Sequence, residues 1–182
     1  MQELVELARH GDEEAFAALA RATGDRLLAI AYRILRDLGR AEDAVQQSLV
    51  IAWQELPTLR DPGRFEAWMY RLLVRACYAE LRRDRRWTSQ VRALPTDGPV
   101  GDDPTVSVDD RDQLERGFRR LPPEQRVVFV FHHYLGLTLP EIADQLEIPL
   151  GTVKSRLFYA TSGLRASLDA DARSDRGEER LA

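Results

Sequence analysis

"TLPEIADQLEIPLGTVKSRL", residues 138–157, holds two short apolar-periodic segments around a tight break, and its second segment carries Lys154 and Arg156. Thr138 and Glu141 have capping-box spacing: the threonine can accept from a backbone N–H three residues on, and the glutamate can reach back. The spacing predicts a helix with Ile142, Ala143 and Leu146 inward. Pro149 disfavours the α conformation at Ile148 and turns the chain. A second helix then buries Val153, Leu157, Ala160 and Leu164 and leaves Thr152, Ser155, Arg156 and Tyr159 outward. Two short helices and a tight turn describe a helix-turn-helix, whose second helix enters the DNA major groove by its first turns. Small and cationic outward residues suit close approach to phosphates and base edges. Taken alone, any helical hairpin could look this way, although the outward residues favour the DNA reading.

Working outward, helical periodicity runs through most of the 182 residues and strand alternation is scarce. The β-favouring run "VVFVF", 127–131, follows the helix-start signal Leu121-Pro122-Pro123-Glu124 and precedes Gly136, so it is expected as a buried helix. In the first half, helices are expected near 2–10, 13–23, 25–37, 40–56 and 64–85, punctuated by Gly11, Gly24, Gly39 and "PTLRDPG". Residues 97–112, "DGPVGDDPTVSVDDRD", set six aspartates against one arginine, with two prolines and two glycines. Such a segment cannot bury apolar surface and reads as a self-repelling linker. The tail from residue 171 is expected to be disordered. The fold class is therefore all-α: an N-terminal helical bundle over 1–92, a flexible acidic linker over 93–112, and a helix-turn-helix domain over 113–170.

The helix from Arg64, "RFEAWMYRLLVRACYAELRRDRRW", puts Phe65, Met69, Leu72, Leu73 and Ala76 on one face. Arg64, Arg71, Arg75, Tyr78 and Arg82 lie on a narrow stripe elsewhere that runs into Arg83, Arg85 and Arg86. Cations interleaved with an aromatic can neutralise phosphates and stack on an unpaired base. The alternative is a solvated face whose arginines pair with local acids, which the scarcity of acids there disfavours, since only Glu80 and Asp84 lie nearby. Trp68 is expected at the edge of the core. The preceding helix, "RAEDAVQQSLVIAWQEL", places Ala41, Val45, Leu49, Trp53 and Leu56 on one side and offers Glu42, Asp43, Gln46 and Gln47 on the other. That polar side suits solvent or a partner.

The composition is 44% hydrophobic and 31% charged, with a net charge of −4 and a pI near 5.5, so nucleic-acid binding must rest on local charge. One cysteine, Cys77, excludes an internal disulfide and is expected to be a small packing group. No apolar run approaches the roughly 18 residues of a membrane span, and a cytoplasmic protein is expected. No catalytic constellation, metal cluster or phosphate loop is legible. His132 and His133 lack a paired nucleophile, and Gly151-Thr152 reads as a helix start. No enzyme activity, small-molecule substrate, cofactor or membrane insertion is expected.

The stretch "EIADQLEIPLGTVKSRL" closely resembles the C-terminal promoter-reading domain of extracytoplasmic-function sigma factors, group IV of the sigma-70 family. The likeness extends upstream through "LERGFRRLPPEQRVVFVFHHYLGLTLPEIA". "AEDAVQQSLVIAWQEL" resembles the helix by which these factors grip the RNA polymerase clamp, and "RFEAWMYRLLVRACYAELRRDRR" the helix that melts and reads the −10 element. The resemblance spans roughly residues 1–168. It implies that Glu42, Asp43, Gln46 and Gln47 face core polymerase. It implies that Arg64, Arg71, Arg75, Tyr78, Arg82 and Arg83 lie near the opened strand, and that Thr152, Lys154, Ser155, Arg156 and Tyr159 read the −35 element. Implied partners are core RNA polymerase through its β′ clamp and β flap, promoter DNA, and an anti-sigma factor. The match departs from many members at Arg75, Ala79, Phe158 and Thr161. Two other readings remain at this point: a polymerase-independent helix-turn-helix regulator, which would not need the arginine–tyrosine stripe, and a helical adaptor, which would not need Lys154 or Arg156.

Overall fold

A computed structural model describes residues 1–88 and 115–178, and the chain divides into two compact units, Met1–Gly98 and Pro99–Ala182. All regular structure among the described residues is helical. The expected linker over 93–112 lies outside the described residues.

In the first unit, α1 (Gln2–Arg9), α2 (Glu13–Leu35), α3 (Leu38–Glu55) and α4 (Phe65–Thr88) form the bundle, with single 3-10 turns at Leu56–Thr58 and Pro62–Arg64 before α4. Asp12 caps α2 by accepting from the Ala15 N–H at 2.9 Å, and Asp37 caps α3 by accepting from the Arg40 N–H at 2.9 Å. Between these caps α2 runs unbroken through Gly24, where two helices were expected. A helical glycine costs only about 1 kcal/mol relative to alanine, and burial of Leu19, Leu27, Ile30 and Ile34 outweighs it. The turn falls instead at Arg36, a left-handed residue (φ 59°) that ends α2.

The core side of α3 is turned from the expected one: Ala41 and Leu56 are buried as expected, but between them Ala44, Ser48 and Ala52 are buried and Val45, Leu49 and Trp53 are half-buried flanks. A small-residue stripe lets α2 and α4, which both pack on α3, approach closely. Trp53 still finds a partner, tilted against Phe16 at 5.0 Å between ring centroids. The most deeply used element is α4. Phe65, Trp68, Met69, Tyr70, Leu72, Leu73, Val74, Ala76 and Cys77 are all buried, a wider face than the five residues expected.

In the second unit, residues 115–120 (α5) precede α6 (Pro123–His133), α7 (Leu139–Leu146) and α8 (Leu150–Glu178). "VVFVF" is helical, as expected from its flanks: Val127, Val128, Val130 and Phe131 are buried in α6. Phe129 packs edge-on against Phe118 at 5.0 Å, beside a core of Leu121, Ala160 and Leu164. Pro123 occupies the first turn of α6, where its missing N–H costs nothing. Gly136 (φ 70°) supplies the left-handed step after α6 that the sequence placed there. The tail differs from expectation: the α8 backbone stays helical through Glu178 where disorder was expected from residue 171, and residues 179–182 are outside the described set.

Candidate nucleic-acid interface

The hairpin of α7 and α8 is locked by local hydrogen bonds. The Thr138 hydroxyl oxygen accepts from the Glu141 N–H at 3.4 Å, and the Glu141 carboxylate accepts from the Thr138 N–H at 2.7 Å and from its hydroxyl at 2.6 Å. These bonds hold the fully exposed Glu141 carboxyl below its ordinary range, the side-chain bond first and the backbone bond second. The capping box read from the sequence is thus complete. The turn itself is made one residue earlier than Pro149 suggested. Glu147 adopts a left-handed conformation (φ 54°, ψ 43°), and the Ile148 N–H donates back to the Ala143 carbonyl at 3.1 Å. Pro149 then opens α8, its carbonyl accepting from Thr152 at 2.8 Å and Val153 at 3.2 Å.

Val153, Ala160, Leu164 and Ser167 bury one side of α8, with Ile142 and Gln145 buried in α7. Leu157, expected inside, is half-buried. Lys154, Ser155 and Tyr159 are exposed, whereas Thr152 and Arg156 sit half-buried on the flank of the outward face. Ser155 donates its hydroxyl to the Thr152 carbonyl at 3.0 Å, leaving its oxygen lone pairs outward as acceptors. Phe158, one of the positions where the match departs from many members, stands on this face, 66% exposed, its ring edge-on to Tyr159 at 5.6 Å. It lies three residues on from Ser155 and seven on from Gly151, so the three share one side of the helix.

In the first unit, α4 carries Arg75, Arg82 and Arg83 exposed, with Arg71 and Tyr78 half-buried; Arg64, exposed, ends the 3-10 turn before it. The stripe expected from the sequence is therefore accessible along one side. Arg83 pairs with Glu80 at 3.2 Å, so part of the stripe is locally neutralised, as the solvated-face alternative requires. Arg85 and Arg86 lie on α4, at its last turns. Glu42, Asp43, Gln46 and Gln47 are all exposed on α3, opposite Ala44, Ser48 and Ala52. Val50, 47% exposed, lies among them.

The remaining candidates for chemistry fit packing. Cys77 is buried, and burial pushes its thiol up to about 12, which opposes the reactive thiolate. His132 bonds through Nδ1 to the Leu137 carbonyl at 2.9 Å, and His133 stacks on Phe129 at 4.3 Å. His133 is exposed rather than enclosed in its helix; desolvation, then neighbouring His132, lowers its pKa. Among the described residues no His, Cys, Asp and Glu group could hold a metal ion.

Known proteins share both halves. The sigma-70 region 2 family profile matches residues 19–88, and the sigma-70 region 4 profile matches residues 111–160. The ECF RNA polymerase sigma factor SigL of Mycobacterium tuberculosis is 34% identical over 166 residues, covering 87% of this chain and 93% of SigL. SigW of Bacillus subtilis, also an ECF RNA polymerase sigma factor, is 25% identical over 176 residues, covering 90% of this chain and 94% of its own. The fold is that of sigma factor RpoE of Bartonella quintana, solved with the anti-sigma factor NepR: TM-score 0.71, 22% identity, 86% of this chain and 98% of that one. With region 2 on the α2–α4 bundle, region 4 on the helix-turn-helix, and SigL matched along nearly its whole length, the chain belongs to the ECF family of RNA polymerase sigma factors.

Proposed function

We propose that this sigma factor directs promoter-specific initiation by dividing the task between its units. The observation that carries the reading is the pairing of a capped helix-turn-helix with a separate bundle bearing an accessible arginine–tyrosine stripe, in region 4 and region 2 respectively. Lys154 and Ser155 meet phosphates and base edges of the −35 duplex, while Thr152 and Arg156, on the flank, suit the adjoining phosphates. Arg64, Arg71, Arg75, Arg82 and Arg83 attract the −10 strand, and Tyr78 stacks on a base once the duplex opens. Glu42, Asp43, Gln46 and Gln47 dock on core polymerase. The chain's contribution is recognition and positioning, with polymerase supplying the chemistry. An anti-sigma partner is part of this proposal, supported by the RpoE–NepR complex of a fold neighbour. No helix among the described residues is long and apolar enough to cross a membrane; a cytoplasmic site of action follows from the proposed partners.

Run-off transcription with core polymerase on a genomic library, read by sequencing, tests the proposal. Discrete start sites that require this chain are expected. Tight specific duplex binding without polymerase, and no start sites with it, would favour an independent helix-turn-helix regulator.

A further inference from the structure

The stretch Asp61-Pro62-Gly63-Arg64, between α3 and α4, ends on the first arginine of the stripe. Its ends are fixed by burial of Leu59 on one side and Phe65 on the other. Between them the chain's path is set locally. Asp61 caps the 3-10 turn: its Oδ1 accepts from the Gly63 N–H at 2.8 Å, and its carbonyl accepts from the Arg64 N–H at 3.0 Å. Pro62 fixes one backbone dihedral of the turn. Helix α1 packs against the same turn. Gly63 leaves little room for a side chain, since a Cβ there would stand 3.1 Å from Asp61 Oδ1 and 3.2 Å from Gln2 Nε2. The carboxylate of Asp61 is at odds with its surroundings. Exposed three residues before an arginine offered to a DNA strand, it repels the phosphates that the arginine attracts. Glu66, the next acid along, pairs with Arg26 of α2 at 3.2 Å. Asp61 directs its carboxylate to the backbone of the turn instead.

We infer that Asp61 is a positioning residue for the −10 contact: its cap holds the turn that aims Arg64 at the strand, and it touches no DNA itself. Gly63 is the position that lets the cap close. The inference rests on the −10 role proposed above for Arg64.

The test uses holoenzyme formed from the full chain and core polymerase, with promoter opening followed by the fluorescence of 2-aminopurine placed in the −10 element. Asp61→Asn and Asp61→Ala both remove the charge, but only asparagine keeps an oxygen that can cap, so their difference isolates the turn. Asp61→Asn should open the promoter at least as well as the wild type. Asp61→Ala should open it about fivefold less well than Asp61→Asn, which is the typical worth of a cap. Gly63→Ala should also lose opening, because Asp61 Oδ1 cannot retreat from a Cβ without lengthening its bond to the Gly63 N–H. In an Arg64→Ala background, Asp61→Ala should cause no further loss, whereas a merely structural residue would lower opening by the same factor in both backgrounds. Tryptophan fluorescence checks that the first unit of each variant is folded. Equal opening by Asp61→Ala and Asp61→Asn, full opening by Gly63→Ala, or the same factor lost with and without Arg64 overturns the inference and leaves the −10 reading standing. Normal opening by Arg64→Ala overturns the −10 role of Arg64 and this inference together.

Discussion

Helices α4 and α8 are both proposed to touch DNA, yet they are built on opposite plans. Along α4, nine residues between Phe65 and Cys77 are buried, and the proposed DNA contact would be confined to the narrow strip left over. Along the described part of α8, only Val153, Ala160, Leu164 and Ser167 are buried, and most of the surface is free to be read. The first plan ties any DNA contact to the integrity of a bundle. The second separates them: a small anchor holds a helix whose outward residues can change without disturbing the fold. Substitutions on α8 should therefore alter specificity at little cost in stability, while those on α4 should mix the two.

The largest effects test whether the units are independent. All three tryptophans, Trp53, Trp68 and Trp87, lie in the first unit, so their fluorescence reports its unfolding alone. Phe131→Ala in α6 should cost the second unit about 3–5 kcal/mol, and Leu73→Ala in α4 should cost the first about 2–5 kcal/mol. In denaturant titrations of the whole chain, Leu73→Ala should shift the tryptophan transition. Phe131→Ala should leave it in place and move only a second phase seen by far-UV circular dichroism. A tryptophan transition that moves with Phe131→Ala would join the units into one cooperative body.

Next come the contacts proposed with DNA. Tyr78→Ala should leave closed-duplex binding by holoenzyme nearly intact and impair opening by about 1–3 kcal/mol, a loss that a pre-melted bubble template partly rescues. Arg156→Ala should weaken occupancy on duplex and bubble templates alike. The loss should also be similar across promoter sequences, as removal of a phosphate contact would be. Because Tyr78 is half-buried on the α4 plan, its variant must also be melted. A lowered tryptophan transition with equal defects on both templates would make Tyr78 a packing residue.

Why α4 and α8 were legible from sequence, and α2 and α3 less so, has a physical cause. The capping box at Thr138 and Glu141 and the proline at 149 are local signals whose partners lie within a few residues. The αL turn at Glu147 gave no such signal, since glutamate rarely adopts that conformation. Gly24 looked like a break because a glycine's local preference is visible and the long-range packing of Leu19, Leu27 and Ile30 is not. On α3, a reading weighted by side-chain size chose Val45, Leu49 and Trp53. The fold instead turns inward the alanines that permit close helix approach. The stripe on α4 was readable as a pattern, but its pairing of Arg83 with Glu80 depends on rotamers. Phe158 was legible only as a departure from the family pattern, because its exposure follows from the packing of Val153, Ala160 and Leu164 that orients α8.

Gly24→Ala sharpens that lesson. A Cβ there meets nothing within 4 Å, and the position is helical, so alanine should stabilise the first unit by about 1 kcal/mol. The tryptophan transition should rise accordingly. A fall would mean that the glycine serves a contact with a partner or a bend that the bundle needs.

The smallest effect concerns pH and separates the units once more. Glu141 is ionised in both folded and unfolded chains above its ordinary pKa of 4.5, and there its bonds to Thr138 contribute in full. Its folded pKa is depressed, so as pH falls through that lower value the carboxylate is protonated and the contribution is lost. Glu141→Gln keeps an acceptor for the capping box but cannot titrate. The stability advantage of the wild type over Glu141→Gln in the second unit should therefore be constant from pH 7 to pH 5 and shrink below about 4.5. The tryptophan transition of the first unit should show no difference between the two proteins at any pH. A difference that grows on acidification, or that appears in the tryptophan signal, would mean that the carboxylate acts through some charge other than its own cap.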